Sequence, residues 1–316
     1  MGKHKGNPVH GWVVIDKPRG ITSTDVVGIV KRVFEARKAG HAGTLDPMAT
    51  GVLAVALGEA TKTVAFAMDA QKTYRFMATW GEARDSDDAE GKIVSTSDVR
   101  PTAEEIEGVL SRFVGEIAQV PPAYSAIRVQ GERAYDLARE GTPARLEPRN
   151  ILVREGRLVG RPDADHAEFE MLCGKGTYVR AWVRDLAAAL GTVGHVSELR
   201  RLAVGGFSVE DAIPLEKLKG LMHSPAAFEH LRPLSTALDG IPALAMTGPD
   251  AVRLRSGNPV LLRANLFARI REIAGVSENL QGLTVFLSTA GGEPVALAEL
   301  AEGELRPFRV FNFGTG

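Results

Sequence analysis

The sequence predicts an α+β protein, in which a mixed, largely antiparallel central sheet with packed helices is followed by a small C-terminal β-rich module. Three observations point there. Through residues 10–209, segments of strand character outnumber helical ones without strict βα alternation, which argues against a doubly wound parallel sheet. Helical stretches with apolar residues three and four apart fall between those strands. From Ile241 onward the texture changes to short strands divided by glycine turns, the pattern of an appended barrel-like module. The expected division is 1–238 and 239–316.

The elements follow in order. Residues 1–8 are polar and basic and are expected to be mobile. His10–Ile15 reads as a short strand, ended by Asp16-Lys17-Pro18-Arg19-Gly20, a turn with two cations at its tip. Thr22-Ser23-Thr24-Asp25 offers a capping box for a helix to Ala36, with Val26, Val27, Val30 and Val33 as its apolar positions. Arg37 and Lys38 lie at the negative end of that helix. A strand Val52–Leu57 and a helix Ala60–Met68 come next, and Lys72–Trp80 alternates as a half-buried strand containing Tyr74.

Asp85-Ser86-Asp87-Asp88-Ala89-Glu90-Gly91 fails the calcium-loop template, because its fifth position is Ala89 and its sixth is Glu90 rather than glycine. It reads as a solvated or partner-facing loop. Thr102–Phe113 is helical, Val120-Pro121-Pro122 forces an extended entry into Tyr124–Gln130, and Ala134–Glu140 is a short helix. Asn150–Val159 and His166–Cys173 look like paired strands. Lys175-Gly176-Thr177-Tyr178 leads into a helix to Leu190, and Leu199-Arg200-Arg201-Leu202 precedes a strand-like Ala203–Val209. In the tail, one helix is expected near Asp250–Ser256, with strands at Phe267–Ile273, Leu283–Ser288, Pro294–Leu297 and Arg306–Phe311.

Composition bounds the function. The chain has 316 residues, 44% hydrophobic and 24% charged, ordinary values for a globular protein with a sizeable core. No apolar run approaches the roughly 18 residues that span a bilayer, and no signal-peptide core is expected, so no membrane partner is implied. The single cysteine, Cys173, excludes an intramolecular disulfide and a Cys-rich zinc site, and with it a cytoplasmic location is expected. Net charge is −1, yet residues 1–40 carry eight Lys/Arg against three acids, and 85–107 carry eight acids against two bases. Arg128, Arg133, Arg139, Arg145, Arg149 and Arg154 crowd one stretch. Local basic surfaces on a neutral protein are compatible with one particular nucleic acid, and equally with ordinary solvated faces.

The most unusual stretch is His41-Ala42-Gly43-Thr44-Leu45-Asp46-Pro47-Met48-Ala49-Thr50-Gly51. Proline fixes φ at one side of Asp46, and the glycines permit turns and close approach that a Cβ would block. The expected result is a rigid loop presenting a carboxylate at the lip of a buried strand. An Asx-type turn before a strand fits the local chemistry as well.

Gly40 through Gly51 closely resemble the signature Gly-His-x-Gly-Thr-Leu-Asp-Pro-x-Ala-Thr-Gly of the TruB-type pseudouridine synthases. Asp16-Lys17-Pro18-x-Gly20-x-Thr22-Ser23 resembles that family's N-terminal motif. Lys72-Thr73-Tyr74, Pro121-Pro122-x-Tyr124-Ser125-Ala126 with Gly131-x-Arg133-Ala134-Tyr135, Gly176-Thr177-Tyr178-Val179-Arg180 and Leu199-Arg200-Arg201 resemble further blocks, in the family's order. The resemblance covers most of residues 10–208, and the tail is similar in pattern to a PUA-type RNA-binding module. Arg128 stands where the family usually has lysine, and the acidic loop is enriched in aspartate.

The resemblance implies isomerisation of the T-loop uridine of tRNA, at position 55, to pseudouridine. That reaction involves no redox change and no energy input, and neither cofactor nor metal is implied. The base must be flipped out to be reached. Asp46 would be the nucleophile on a glycosidic bond that opens with oxocarbenium character, and whether it attacks C1′ or C6, or assists glycal formation, stays open. Arg180 would be the guanidinium that keeps the carboxylate ionised and oriented. Tyr74 would stack on the base near C5, although a neutral phenol is a weak base. His41 would fill the gap left by the flipped nucleotide, Tyr178 and Leu199 would wall the uracil, Gly43 and Thr44 would shape the pocket, and Lys17 and Arg19 would meet phosphate.

The implied partner is the T arm of tRNA. No guide RNA and no obligate protein partner are expected, since the guide-dependent relatives share only the Asp block closely and lack the insert between Ala83 and Gln119. A tRNA-binding folding chaperone with catalysis secondary is the alternative from another class, motivated by the charged patches and the β tail. An aspartyl phosphotransferase fails for want of a second aspartate at position 48, which is Met48, and of a P-loop.

Overall fold

The computed structural model describes residues 6–129, 131–142, 144–275 and 280–313. Gln130 therefore lies outside the described residues, as do residues 1–5 of the leading segment expected to be mobile. Within that segment, the Asn7 N–H donates to the Glu35 carbonyl at 2.6 Å.

The chain opens with β1 (Gly11–Lys17) and α1 (Ser23–Val33). Thr22 caps α1 by accepting from the Asp25 N–H, as its position in the sequence required. Then come β2 (Ala39–His41), β3 (Thr50–Leu57), a 3₁₀ turn leading into α2 (Val64–Asp69), and β4 (Lys72–Trp80). A small hairpin, β5 (Glu82–Arg84) and β6 (Ile93–Thr96), brackets the acidic loop. Next are α3 (Ala103–Leu110), which carries a full capping box between Thr102 and Glu105, and β7 (Gly115–Gln119). The arm that follows holds only β8 (Arg128–Val129), β9 (Glu132–Arg133) and α4 (Ala134–Arg139). The chain returns through β10 (Arg149–Gly160), β11 (His166–Cys173), α5 (Val179–Ala189) and β12 (Gly194–Val204). Two short strands, β13 (Phe207–Ser208) and β14 (Ile213–Pro214), and the helix α6 (Leu215–Gly220) close this part.

Apart from the separate pairs β5–β6 and β8–β9, these strands form one mixed sheet whose main path runs β14-β1-β3-β12-β4-β11-β10-β7, with β2 on β3 and β13 on β12. It is antiparallel except where β1 meets β14 and where β3 meets β12. At the second parallel junction, Arg200 and Arg201 pair with Thr50 and Gly51. This short seam lies beside the Asp46 loop, and β4 with Tyr74 is the next strand over, Arg201 standing opposite Tyr74.

Both faces of the sheet are used. On one, α1, α3 and α5 cover a core in which Trp182 meets Phe76, Phe169 and Phe113 edge-on at 5.6, 5.5 and 5.8 Å. The Trp182 indole N–H donates to the Phe113 carbonyl at 3.1 Å. Burial of one such side chain contributes on the order of 5 kcal/mol, enough to fix the start of α5 and the arginine two residues before Trp182. On the other face, Trp12, Val14, Val52 and Phe207 pack with Phe286, Leu297 and Phe311 from the tail. Lys62 also donates to the Val310 carbonyl at 2.7 Å.

The tail is a curled five-stranded sheet in the order β15-β17-β18-β19-β16, consistent with a PUA-like module. Its strands are β15 (Ala243–Met246), β16 (Val260–Leu261), β17 (Thr284–Thr289), β18 (Pro294–Ala301) and β19 (Glu304–Val310), with α7 (Gly248–Arg255). The expected strand Phe267–Ile273 is instead part of a helix, α8 (Ala264–Ala274). Ile270 is its fully buried position and Gly275, at φ +62°, is its left-handed C-terminal stop. A second correction concerns Leu199-Arg200-Arg201, which lies inside β12 rather than ahead of a strand. The strand ends at Val204, and the Gly205-Gly206 turn separates it from β13.

Gly51 (φ +95°) sits where a Cβ would overlap the Arg201 backbone, whereas Gly20 (φ +85°) has open space around it. Gly20→Ala should cost only the backbone strain of about 1–2 kcal/mol. Gly51→Ala should cost clearly more, or prevent folding, because the overlap adds to that strain. Urea unfolding of the two variants measures the difference, and equal losses would mean the seam can open without penalty.

Candidate active site

The loop between β2 and β3 has its carbonyls captured one after another. Arg201, on β12 and 1% exposed, donates from Nη2 to the Gly43 carbonyl at 3.1 Å and from Nη1 to that of Thr44 at 3.4 Å. Its Nε donates to the Val52 carbonyl at 2.8 Å. Ser23 Oγ accepts from the Leu45 N–H at 2.9 Å and donates to the Leu45 carbonyl at 3.0 Å. The Asp46 carbonyl accepts from Ala49 N–H, and that of Pro47 accepts from Gly20 N–H and from Lys17 Nζ. Gly43 adopts φ +91°, the left-handed conformation that the loop entry needs.

Above this frame the Asp46 side chain is 35% exposed while its partner Arg180 is 5% exposed. Arg180 Nε lies 2.9 Å from Asp46 Oδ2. The remaining donors of the same guanidinium are spoken for. Nη1 donates to the Ser86 carbonyl at 2.7 Å and lies 3.5 Å from Asp88 Oδ2, and Nη2 donates to the Tyr124 carbonyl at 2.9 Å. An ion pair with one partner open to water contributes about 1 kcal/mol or less. Its consequence here is orientation, since one carboxylate oxygen is tied down and the group is held facing out.

The acidic loop, expected to be solvated or partner-facing, is only partly solvated: Glu90 is exposed, while its centre packs inward. Ser86 and Asp88 are buried, Asp88 Oδ1 accepts from Ser86 Oγ at 2.6 Å and from the Glu90 N–H at 3.0 Å, and Ala89 N–H and the Asp87 carbonyl bond to Val196 of β12. Asp87 is left-handed at φ +60° and pairs with Arg184 at 2.9 Å. Burial raises its carboxyl despite that arginine. A buried Arg180 needs a buried counter-charge, and Asp88 supplies it.

Tyr74 is half-buried on β4; burial pushes its phenol up, and the Arg201 guanidinium beside it works the other way. Tyr178 precedes α5, and both its backbone N–H and its carbonyl are held by the buried Gln119 amide at 2.9 and 3.1 Å. Burial raises the Tyr178 phenol as well. Leu199 is buried on β12, with its carbonyl 3.4 Å from Thr50 Oγ1. His41 ends β2 opposite Val55, and burial lowers its imidazole, with Arg201 acting in the same direction. Arg19 is exposed at the tip of its turn.

Lys17 departs from the expectation of a phosphate contact. It is fully buried, and its ammonium donates to the carbonyls of Pro18 at 2.9 Å, Ile21 at 2.8 Å and Pro47 at 3.2 Å. It therefore ties the β1 turn to the Asp46 loop. Sequence reasoning assigned no role to Asp88, Gln119, Ser23 or Arg201. Ser23 and Arg201 lie inside recognised blocks, so a signal was present. Gln119 and Asp88 act through contacts that no local pattern announces. A cavity of about 440 Å³, lined by Val120, Pro121, Ala123, Arg145, Leu146 and Pro148 among others, lies at the root of the 121–148 arm and includes none of Asp46, Tyr74 or Arg180.

Residues 31–179 match the model for the TruB family pseudouridylate synthase N-terminal domain, and residues 180–239 match that for the tRNA pseudouridylate synthase B C-terminal domain. The chain is 52% identical over 309 residues to the tRNA pseudouridine synthase B of Caulobacter sp. (strain K31), covering 98% of each. It is 50% identical over 310 residues to that of Rhodospirillum rubrum, covering 98% of this chain and 99% of the relative. The chain belongs to the TruB family. It is therefore a pseudouridine synthase, an isomerase that acts on RNA. The fold of the TruB-family chain is similar to that seen in a Cbf5-Nop10-Gar1 complex, at TM-score 0.72 and 25% identity over 96% of this chain and 85% of the other. It is also similar to a chain of an H/ACA ribonucleoprotein bound to a substrate RNA, at TM-score 0.71 and 22% identity over the same shares.

Burial pushes the Lys17 ammonium down to about 8. Its folded value thus lies below its unfolded one, so the penalty of burying the charge is fully present below pH 8 and fades as the pH rises toward 10.5. Lys17→Met takes the Lys17 donor from the Pro18 and Ile21 carbonyls, leaves that of Pro47 with the Gly20 N–H alone, and should be destabilised by about 2–3 kcal/mol at neutral pH. The gap between wild type and Lys17→Met in urea unfolding should widen between pH 7.5 and 9.5. A constant gap would place the Lys17 titration outside this window.

Proposed function

We propose that this TruB-family chain converts the T-loop uridine of tRNA, position 55, to pseudouridine, with Asp46 as nucleophile. The observation that carries the reading is the Asp46–Arg180 pair, a carboxylate 35% exposed on a rigid loop and oriented from behind by a guanidinium 5% exposed. An ionised, immobile carboxylate facing open space is what attack on a flipped-out uridine requires. The N1–C1′ bond then breaks as carboxylate density reaches the sugar or the base, the uracil turns over, C5 bonds to C1′ and the carboxylate is released, and the proton lost from C5 is balanced by one taken up at N1. Substrate and product have the same atoms, so no co-reactant enters.

Tyr74, from the neighbouring strand, supports one face of the flipped base, and Leu199 and Tyr178 close the pocket around it. His41, at the loop entry, is suited to the gap that the base leaves in its stack. Arg19, exposed on the turn that Lys17 fastens to the loop, is the cation placed to meet a phosphate. We assign residues 1–238 to catalysis and 239–316 to RNA contact. The substrate class follows the tRNA pseudouridine synthases that are about half identical to this chain. In this reading the chain takes tRNA directly, without a guide RNA or an obligate protein partner, in the cytoplasm. A stem-loop with splayed bases suits reading by shape, stacking and backbone contact.

Asp46→Asn should fold, bind a T-arm stem-loop within about 3-fold of wild type, and lose at least about 10⁴-fold in turnover. Release of tritium from C5-labelled uridine measures turnover, and a near-normal rate would remove Asp46 from the mechanism. Pseudouridine mapping of bulk tRNA after incubation with the wild-type protein tests the target. Modification elsewhere than position 55 would overturn the T-loop assignment while leaving the isomerase intact.

A further inference from the structure

We infer that Arg201 is a positioning residue for the isomerisation, locking the nucleophile loop and the Tyr74 phenol into one unit. The inference rests on Asp46 as nucleophile and adds a residue to that site. Arg201 is 1% exposed, and among the described residues no carboxylate lies within ion-pair distance of it. Its three measured bonds go to the carbonyls of Gly43, Thr44 and Val52, on either side of Asp46. A buried guanidinium facing only neutral acceptors is expensive to desolvate, and a lysine ammonium could not span the same three oxygens.

Two backbone features bring Arg201 to that position. Gly51 lacks the Cβ that would overlap the Arg201 carbonyl, so β3 and β12 approach closely there. The β12–β4 ladder slips by one residue just after Arg201, which pairs with Tyr74 while Ala203 pairs with Thr73. Such a bulge re-aims a side chain, and here it sits beside the reacting centre. Paired residues of adjacent strands project to the same face, so the guanidinium lies against the Tyr74 side chain. Guanidinium donates and never accepts, so toward Arg201 the phenol oxygen can only be the acceptor. The phenol's own proton is then turned away from Arg201. One fork thereby sets the height of the Asp46 loop and the direction of the Tyr74 hydroxyl.

The test uses the full chain with a T-arm stem-loop under single-turnover conditions. Arg201→Lys should bind RNA within about 3-fold of wild type and form product about 100-fold more slowly. In a Tyr74→Phe background the same substitution should cost clearly less, because the partner it orients has already gone. A purely structural role would lower thermal stability and leave the two losses additive. A rate near wild type, a loss confined to binding, or full additivity overturns the proposal. Should Arg201→Lys fail to fold, Tyr74→Phe alone decides, since removing the phenol must shift the Arg201 guanidinium NMR signals, and unchanged signals overturn the contact. Asp46→Asn is the separate control, because product formation by it would sink the nucleophile reading whatever Arg201 does.

Discussion

A loop that presents a reactive carboxylate has a structural problem: its backbone is neither helix nor strand, so its carbonyls need donors from elsewhere. The Arg201 guanidinium answers most of it, taking the carbonyls of Gly43, Thr44 and Val52 at once. Ser23 takes both backbone groups of Leu45, and Lys17 with the Gly20 N–H takes the Pro47 carbonyl. Hydrogen bonds from a charged donor contribute about 1.5–3 kcal/mol each, and desolvating the ion costs several kcal/mol. The terms nearly offset. Such an arrangement adds little to global stability and confines the loop to one conformation.

Arg180 solves a different problem. It holds the Asp46 side chain rather than the loop backbone, and its other donors reach Ser86, Asp88 and Tyr124. Three stretches far apart in sequence meet on one guanidinium. α5 is fixed in turn by Trp182 in the aromatic core, while Gln119 brackets Tyr178 just before the helix. The direction of the carboxylate therefore depends on core packing as well as on the local ion pair.

Much of this was legible in the sequence, and the misses share a cause. The cap at Thr22, the helix that begins after Thr102, the β10–β11 pairing and the span of α5 rest on local rules, and they stand; at Thr22 the expected box reduces to the single bond from the Asp25 N–H. Phe267–Ile273 was read as a strand although its large apolar residues, Phe267, Ile270 and Ile273, fall three apart, a helical spacing rather than alternation; the buried Ile270 and the stop at Gly275 mark the helix. β12 was hidden because consecutive arginines look like a polar loop, whereas they face opposite sides: Arg200 pairs with Asp16 at 2.8 Å and Arg201 turns inward. That the acidic loop, read as solvated or partner-facing, buries Asp88 was not legible, because aspartates in water and aspartates buried against arginine are identical in sequence. Asp46, Tyr74 and Arg180 could be found together only because their blocks resemble one family.

The same distinction explains why a net charge of −1 says so little about a protein that acts on RNA. Lys17, Arg180 and Arg201 are buried around the Asp46 loop, and Lys72, close by on β4, spends its ammonium on the carbonyls of Met68 and Ala70. Burial pushes Lys17 and Lys72 down to about 8, which still leaves both mainly protonated at neutral pH. Their bonds run to neutral oxygens, so the protein's own carboxylates cancel only part of their charge. Fields from buried groups are screened far less by salt than those from the surface. The cations that hold the loops in place therefore also put positive charge beneath the site, which favours a polyanion above it.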